Sequence, residues 1–241
     1  MVRIMSSFLE NFDGVSSNTV FCVWSGTNDM SVPRIQALWS IFNNIHCPIV
    51  FLTHNSLRKW EYPGAPFHPA FEFLSETHKS DYVRCYLMHH YGGGYTDMKI
   101  TTKSWEYAFD LLRKSEKLAL GYTEIGPHGV APVGGALGEE LRANYLRLIG
   151  LCAFIFRKRT ELTKAWFEQT ESLLDQKYND LRKSPAKFPQ DQLGAQLDDG
   201  TLSEYPIRWT ELLGNIFHPL INQHHNAIIH KDISPLFYGY R

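Results

Sequence analysis

Residues 80–99, SDYVRCYLMHHYGGGYTDMK, place four charged side chains around a run of three glycines: Asp81 and Arg84 before it, Asp97 and Lys99 after it. Asp81 and Arg84 are three positions apart, so on a helix their side chains are neighbours. They lie away from Val83, Tyr86, Leu87 and Tyr91, which form the apolar stripe of that helix. Glycine tolerates positive φ, so Gly92-Gly93-Gly94 lets the chain leave the helix and enter a strand at once. That strand, opened by Tyr95 and Thr96, delivers Asp97 to a loop at its carboxyl end, where open α/β sheets bind ligands. The chemistry this offers is binding by a carboxylate–guanidinium pair at a helix start, facing an acid at a strand end. Each part also has a plainer use. An i,i+3 ion pair on a surface contributes about 0.3 kcal/mol, an acid in a first turn complements the helix dipole, and glycines end helices.

The flanking chain must hold that helix and strand together. TVFCVW over 19–24 reads as a buried strand entering the loop Ser25-Gly26-Thr27-Asn28-Asp29. Ser31 caps a helix with Pro33 in its first turn, reaching about residue 43. PIVFLT over 48–53 is a second buried strand, so the chain begins strand, helix, strand, in a parallel right-handed arrangement. The stretch 54–78 is irregular, with a short strand at 71–74, and Thr77 or Ser80 caps the charged helix. Further on come a helix near 105–115, a strand near 118–122, a helix from Gly138 and a strand at 152–157. A long amphipathic helix over 160–182 ends before Pro185 and Pro189, followed by a short helix at 209–217 and a last strand at 226–230.

With 241 residues, the chain has ample length for a core, and 44% hydrophobic against 20% charged residues excludes disorder. A net charge of −1 without a polybasic tail argues against nucleic acid or acidic lipid as partner. Cys22, Cys47, Cys85 and Cys152 form no CxxC pair, which argues against zinc-knuckle and redox motifs and suits a reducing compartment. The first 18 residues read as a short leader without a signal-peptide h-region. The longest apolar run, around 148–156, is too short to span a bilayer, so the expectation is a soluble, cytoplasmic protein. A single domain over 1–241 is expected, with 184–190 the best candidate boundary.

The pattern S-D-x-x-R, a helix, then G-G-x-Y-x-D-x-acid resembles the sugar-binding region of the DxD glycosyltransferases. These include mannosyl- and galactosyltransferases of the capsular-polysaccharide and yeast outer-chain type, and the glucosylating clostridial toxins. The match covers about twenty residues, and Trp24-Ser25-Gly26 is similar to the end of the family's first strand. The resemblance implies an α/β fold of the GT-A type, a Rossmann-like domain with a mixed central sheet. Residues 19–135 would bind the nucleotide sugar and 136–241 would form the acceptor side and C-terminal helices. It implies transfer of a sugar from a nucleotide-diphosphate donor (UDP first, GDP second) to a glycan or glycoprotein acceptor, with retention. Asp81 and Arg84 would contact the donor sugar and phosphate, with Tyr95 beside them in the motif. Asp97 would touch ribose, sugar or a metal-bound water, and Trp24, Ser25 and Gly26 would lie beside the base.

The family's second acid is replaced by Lys99. That acid ordinarily chelates Mn²⁺ or Mg²⁺, so three readings follow. Either Asp97 keeps the metal with help from a C-terminal histidine, His218 or His230, or the Lys99 ammonium stands in for the ion, or Lys99 simply turns out to solvent. The retained metal, with Asp97 and His218 as ligands, is the first expectation. Asp191, in a Pro-bounded loop, is the candidate acid near the anomeric carbon, and Glu124 the next; either could instead be a cap or a surface acid. Val133-Gly134-Gly135-Ala136 could line the acceptor side or form a plain turn. A non-catalytic nucleotide-sugar-binding module is the alternative function. A nucleotidyltransferase is disfavoured because the loop 25–30 carries no Lys or Arg.

Overall fold

A computed structural model describes residues 16–239; most of the expected leader, residues 1–15, lies outside them. The described residues form a six-stranded sheet of order β2-β1-β3-β5-β4-β6. The strands are β1 (Val20–Trp24), β2 (Ile49–Thr53), β3 (Gly93–Thr96), β4 (Ala119–Thr123), β5 (Ile149–Phe156) and β6 (Ile228–His230). β1 runs parallel to β2 and β3, while β5 is antiparallel to β3 and β4, and β6 is parallel to β4. The fold is therefore α/β around a mixed sheet, as expected, and it opens with a strand–helix–strand unit through α1 (Val32–Asn44).

Side chains of β1 alternate between two cores, as a strand covered on both faces requires. Phe21 and Val23 join the core under α2 (Glu76–His90), α5 (Glu161–Lys183) and α6 (Gly214–Gln223). Val20 and Cys22 join the core with Ile41 of α1 and Phe109 of α3 (Glu106–Arg113). The short helix α4 (Gly135–Ala143) lies against α6.

α2 departs from a one-faced amphipathic helix. It packs between the sheet and α5, so Asp81, Arg84, Cys85, Met88 and His90 are buried along with Val83, Tyr86 and Leu87. Its cap is Ser75, whose Oγ accepts from the His78 amide, rather than Thr77 or Ser80. Periodicity alone misplaced that start because the true cap sits in a buried network: His78 Nδ1 lies 3.0 Å from both Ser75 Oγ and Tyr205 Oη. Burial pushes the His78 ring down to about 4, so it is neutral at pH 7. The strand expected at 71–74 is instead a 3₁₀ turn, Pro69–Phe73, opened by proline and capped by His68, whose Nδ1 accepts from the Ala70 amide. The helix expected at 209–217 begins later, at Gly214.

The glycine hinge behaves as its composition requires. Gly92 and Gly93 have φ of +67° and +85°. A Cβ on Gly93 would stand 2.4 Å from the Thr19 carbonyl oxygen, and one on Gly94 2.9 Å from the Trp105 ring. Close packing of β3 on the Thr19 backbone and on the Trp105 ring therefore needs glycine at both positions. No helix of the described residues is long and apolar enough to cross a membrane.

Candidate functional site

β1 and β3 are parallel neighbours, so their carboxyl ends open on the same edge of the sheet. There they border a cleft of about 870 Å³. Trp24, Ser25 and Gly26 line it from β1, and Asp97, Met98 and Lys99 from the turn after β3. Ser31 and Arg34 enter from the start of α1, Glu76, Thr77, Ser80 and Arg84 from α2, and Pro189, Gln190 and Trp209 from the C-terminal part.

Arg84 organises the charged end. One guanidinium nitrogen, Nη2, lies 3.2 Å from both Asp81 Oδ1 and Asp97 Oδ1. Its Nη1 donates to the Leu151 carbonyl at 2.8 Å, and the guanidinium sits 4.5 Å from the centroid of the Tyr95 ring. The Tyr95 hydroxyl is joined to Ser80 Oγ at 2.9 Å. Lys99 Nζ lies 2.6 Å from Asp97 Oδ2 and 2.9 Å from Cys152 Sγ. The turn that carries Asp97 and Lys99 is fastened by three bonds: Asp97 N to Cys152 O at 2.8 Å, Lys99 N to Asp97 O at 2.8 Å, and Arg34 Nη1 to Met98 O at 2.6 Å.

Electrostatics follow from burial with paired charges. Burial alone would raise the Asp97 carboxyl, but Lys99 and Arg84 overcome it and hold the group well below the usual carboxylate range. Burial would lower the Lys99 ammonium, and Asp97 keeps it charged by raising it. Asp81 is different. Burial pushes its carboxyl up to about 7, Arg84 opposes that, and the Asp97 charge adds to it. Cys152 is raised to about 11, chiefly by burial and then by Asp97, so it is a thiol at neutral pH. At the other end, Trp24 Nε1 donates to the Asn28 carbonyl at 3.0 Å, and Ser25 Oγ to the Glu76 carbonyl at 3.0 Å.

The structure thus brings Trp24, Ser25, Gly26, Arg84, Tyr95, Asp97 and Lys99 to one cleft. Other expected residues stand elsewhere. Asp81 is buried behind Arg84, with its Oδ1 3.2 Å from Arg84 Nη2, and does not line the cleft. Asp191 is fully buried, and its Oδ2 accepts from the Lys187 amide at 2.8 Å. The Pro-bounded loop does reach the cleft, but through Pro189 and Gln190: Asp191 closes the turn with its amide on the Phe188 carbonyl at 3.1 Å and turns its carboxylate inward. His218 is fully buried as well: its Nδ1 accepts from the Ala131 amide at 3.0 Å and its Nε2 faces Glu124 Oε2 at 3.5 Å. Neither His218 nor Glu124 lines the cleft, and His230 is joined to Thr123 Oγ1. Residues 133–136 lead into α4, with Gly134 at its N-cap, and also lie outside the cleft lining.

Arg34, Cys152 and Trp209 were missed by sequence reasoning. A signal existed for Arg34, since it stands in the first turn of the helix that follows β1 and helix starts after such strands point to the ligand edge. Cys152 and Trp209 carry none, because their places depend on how β5 and the segment before α6 pack.

The donor set does not suit a divalent cation. Magnesium and manganese take oxygen ligands, and both Asp97 oxygens already face cations. His218, the expected second ligand, is committed to Ala131 and Glu124. Among the described residues, no group of three or more His, Cys, Asp or Glu side chains is placed to hold a metal ion.

No family model matches the chain, and no curated protein matches its sequence. Among solved structures, it is similar to one titled "PaToxG Glycosyltransferase", at 14% identity and a TM-score of 0.39, over 69% of this chain and 64% of that one. The chain therefore spans less than two thirds of that structure's length.

Proposed function

We propose that the chain is a glycosyltransferase whose donor, a nucleotide-diphosphate sugar, lies along the cleft. The observation that carries this reading is the joining of two ends in one cavity: the aromatic strand end Trp24-Ser25-Gly26, and the charged group of Arg84, Asp97 and Lys99. About 870 Å³ is within the range of small-molecule sites and suits a ligand of this length. The base lies beside Trp24, the diphosphate meets the cations, and Asp97 takes sugar or ribose hydroxyls. UDP is the first choice of nucleotide and GDP the second, and the acceptor is a hydroxyl of a glycan or glycoprotein.

Retention is the proposed stereochemical course. Held well below the usual carboxylate range, Asp97 is a poor base. As the anomeric carbon–oxygen bond breaks, its electron pair passes to the diphosphate oxygen. The acceptor oxygen bonds to the same face of the carbon, and the acceptor proton goes to the leaving phosphate.

Calorimetric titration with a panel of nucleotides and nucleotide sugars tests the donor site, and binding of UDP or GDP forms is expected. No binding by any of them would reject the proposal. Slow hydrolysis of a bound donor separates the enzyme from a module that only binds. Asp97→Asn is expected to lower turnover at least about a hundredfold, the scale of a lost transition-state contact, with the far-ultraviolet dichroism retained. Unchanged turnover would remove Asp97 from the site.

A further inference from the structure

We infer, on the donor-site reading just proposed, that Lys99 is the resident counter-cation of the diphosphate, so that this chain binds its donor without a divalent ion. Charge conservation is the first support. Two carboxylates holding a divalent ion sum to zero. Exchanging one carboxylate for an ammonium and omitting the ion leaves the same sum, and Asp97 with Lys99 is that arrangement.

Occupancy of Asp97 is the second. Arg84 stands 3.2 Å from Oδ1 and Lys99 2.6 Å from Oδ2. A divalent ion on either oxygen would meet a guanidinium or an ammonium at near contact, in a buried setting where like charges repel strongly.

Preorganisation is the third. Lys99 is mostly buried, with 12% of its side chain exposed, yet it lines the cleft. Its turn is tied to β5 through the Cys152 carbonyl and to α1 through Arg34 and the Met98 carbonyl. Burial would otherwise favour the neutral amine, and the Asp97 carboxylate keeps the ammonium charged. A fixed, dehydrated cation at the end of the cleft does what an oriented dipole or ion does for a leaving anion, without reorganisation at the moment of bond breaking.

The test titrates UDP, GDP and inorganic diphosphate into the full chain in EDTA and in Mn²⁺. Equal affinity in both conditions is expected. Lys99→Met is expected to weaken binding about tenfold to a hundredfold, the scale of a charge-assisted hydrogen bond, and Lys99→Arg to recover most of it. Thermal melts distinguish lost binding from lost fold. Should Lys99→Met fail to fold, Lys99→Asp serves, because it puts a second carboxylate two residues from Asp97. That variant is expected to make UDP binding Mn²⁺-dependent and to remove free Mn²⁺ from the electron paramagnetic resonance spectrum, which the parent chain does not. Binding by the parent chain only in Mn²⁺ would overturn the inference and leave the donor site standing. Absence of nucleotide binding in both conditions would remove the donor site and the inference together.

Discussion

Two buried charged groups lie at the carboxyl edge of the sheet. Asp81 and Arg84 of α2 join Asp97 and Lys99, which follow β3, and this group meets the cleft through Arg84, Asp97 and Lys99, whereas Glu124 follows β4 and pairs with His218 away from it. In the second group every interaction turns inward. Glu124 Oε1 accepts from the Ile125 amide, and His218 accepts from the Ala131 amide, so the pair fastens the loop 124–131 to α6. Gly129 completes that closure, since a Cβ there would stand 2.2 Å from Glu124 Oε1. In the first group Arg84 and Lys99 keep an edge on the cavity. Burial of charge is therefore a poor guide to function by itself; an open face on a cleft of ligand size distinguishes the two.

Arg84→Met gives the sharpest break of this comparison. It would leave Asp81 and Asp97 sharing a buried site with Lys99 as counter-charge. Loss of about 3–5 kcal/mol of stability is expected, together with loss of nucleotide binding, read by denaturant unfolding and calorimetry. A variant that melts like the parent and still binds would show that Arg84 organises nothing. His218→Ala should behave in the opposite way. Stability is expected to fall by about 2 kcal/mol, as an amide is left unpaired, while nucleotide affinity stays within about twofold. A large loss of affinity with a small loss of stability would move His218 into the site.

Asp81→Asn acts through pH alone. Between the ordinary carboxylate value of 3.8 and the folded value of about 7, the folded chain holds a proton that the unfolded chain has lost. Stability contributed by that group therefore falls as pH rises through this window. The asparagine variant is expected to lose this slope, a difference of about 2 kcal/mol between pH 5 and pH 7. Asp97 acts with the opposite sign and at lower pH: its contribution is present at neutrality and is lost on acidification below the usual carboxylate range. Unfolding curves at pH 5, 6 and 7 on the parent and the Asn variant measure the slope. Identical slopes would place the Asp81 proton outside the folding equilibrium.

Much of the site was legible because it is built from one contiguous stretch. Residues 80–99 hold a helix, a hinge and a strand, and local spacing alone brings Arg84 near Asp97 and Lys99. The strand ending at Trp24 was legible from its apolar run and the loop after it. Asp191, His218 and Glu124 were not, because a residue type and a nearby proline do not tell which way a side chain turns. The start of α2 failed for a related reason: Ser75 caps it within a contact to Tyr205, 130 residues away.

Sequence by itself determined the order of strands and helices apart from the 3₁₀ turn at Pro69–Phe73, the hinge and the charge sign at each position of the motif, since these depend on periodicity, on backbone freedom at glycine and on side-chain chemistry. Tertiary structure alone decided that Asp81 stands behind Arg84, that the Lys99 ammonium turns to Asp97 and Cys152, and that Gln190 rather than Asp191 lines the cleft. Those outcomes depend on which atoms become neighbours when β5, α5 and α6 pack against the sheet, and such contacts join residues that no local pattern relates.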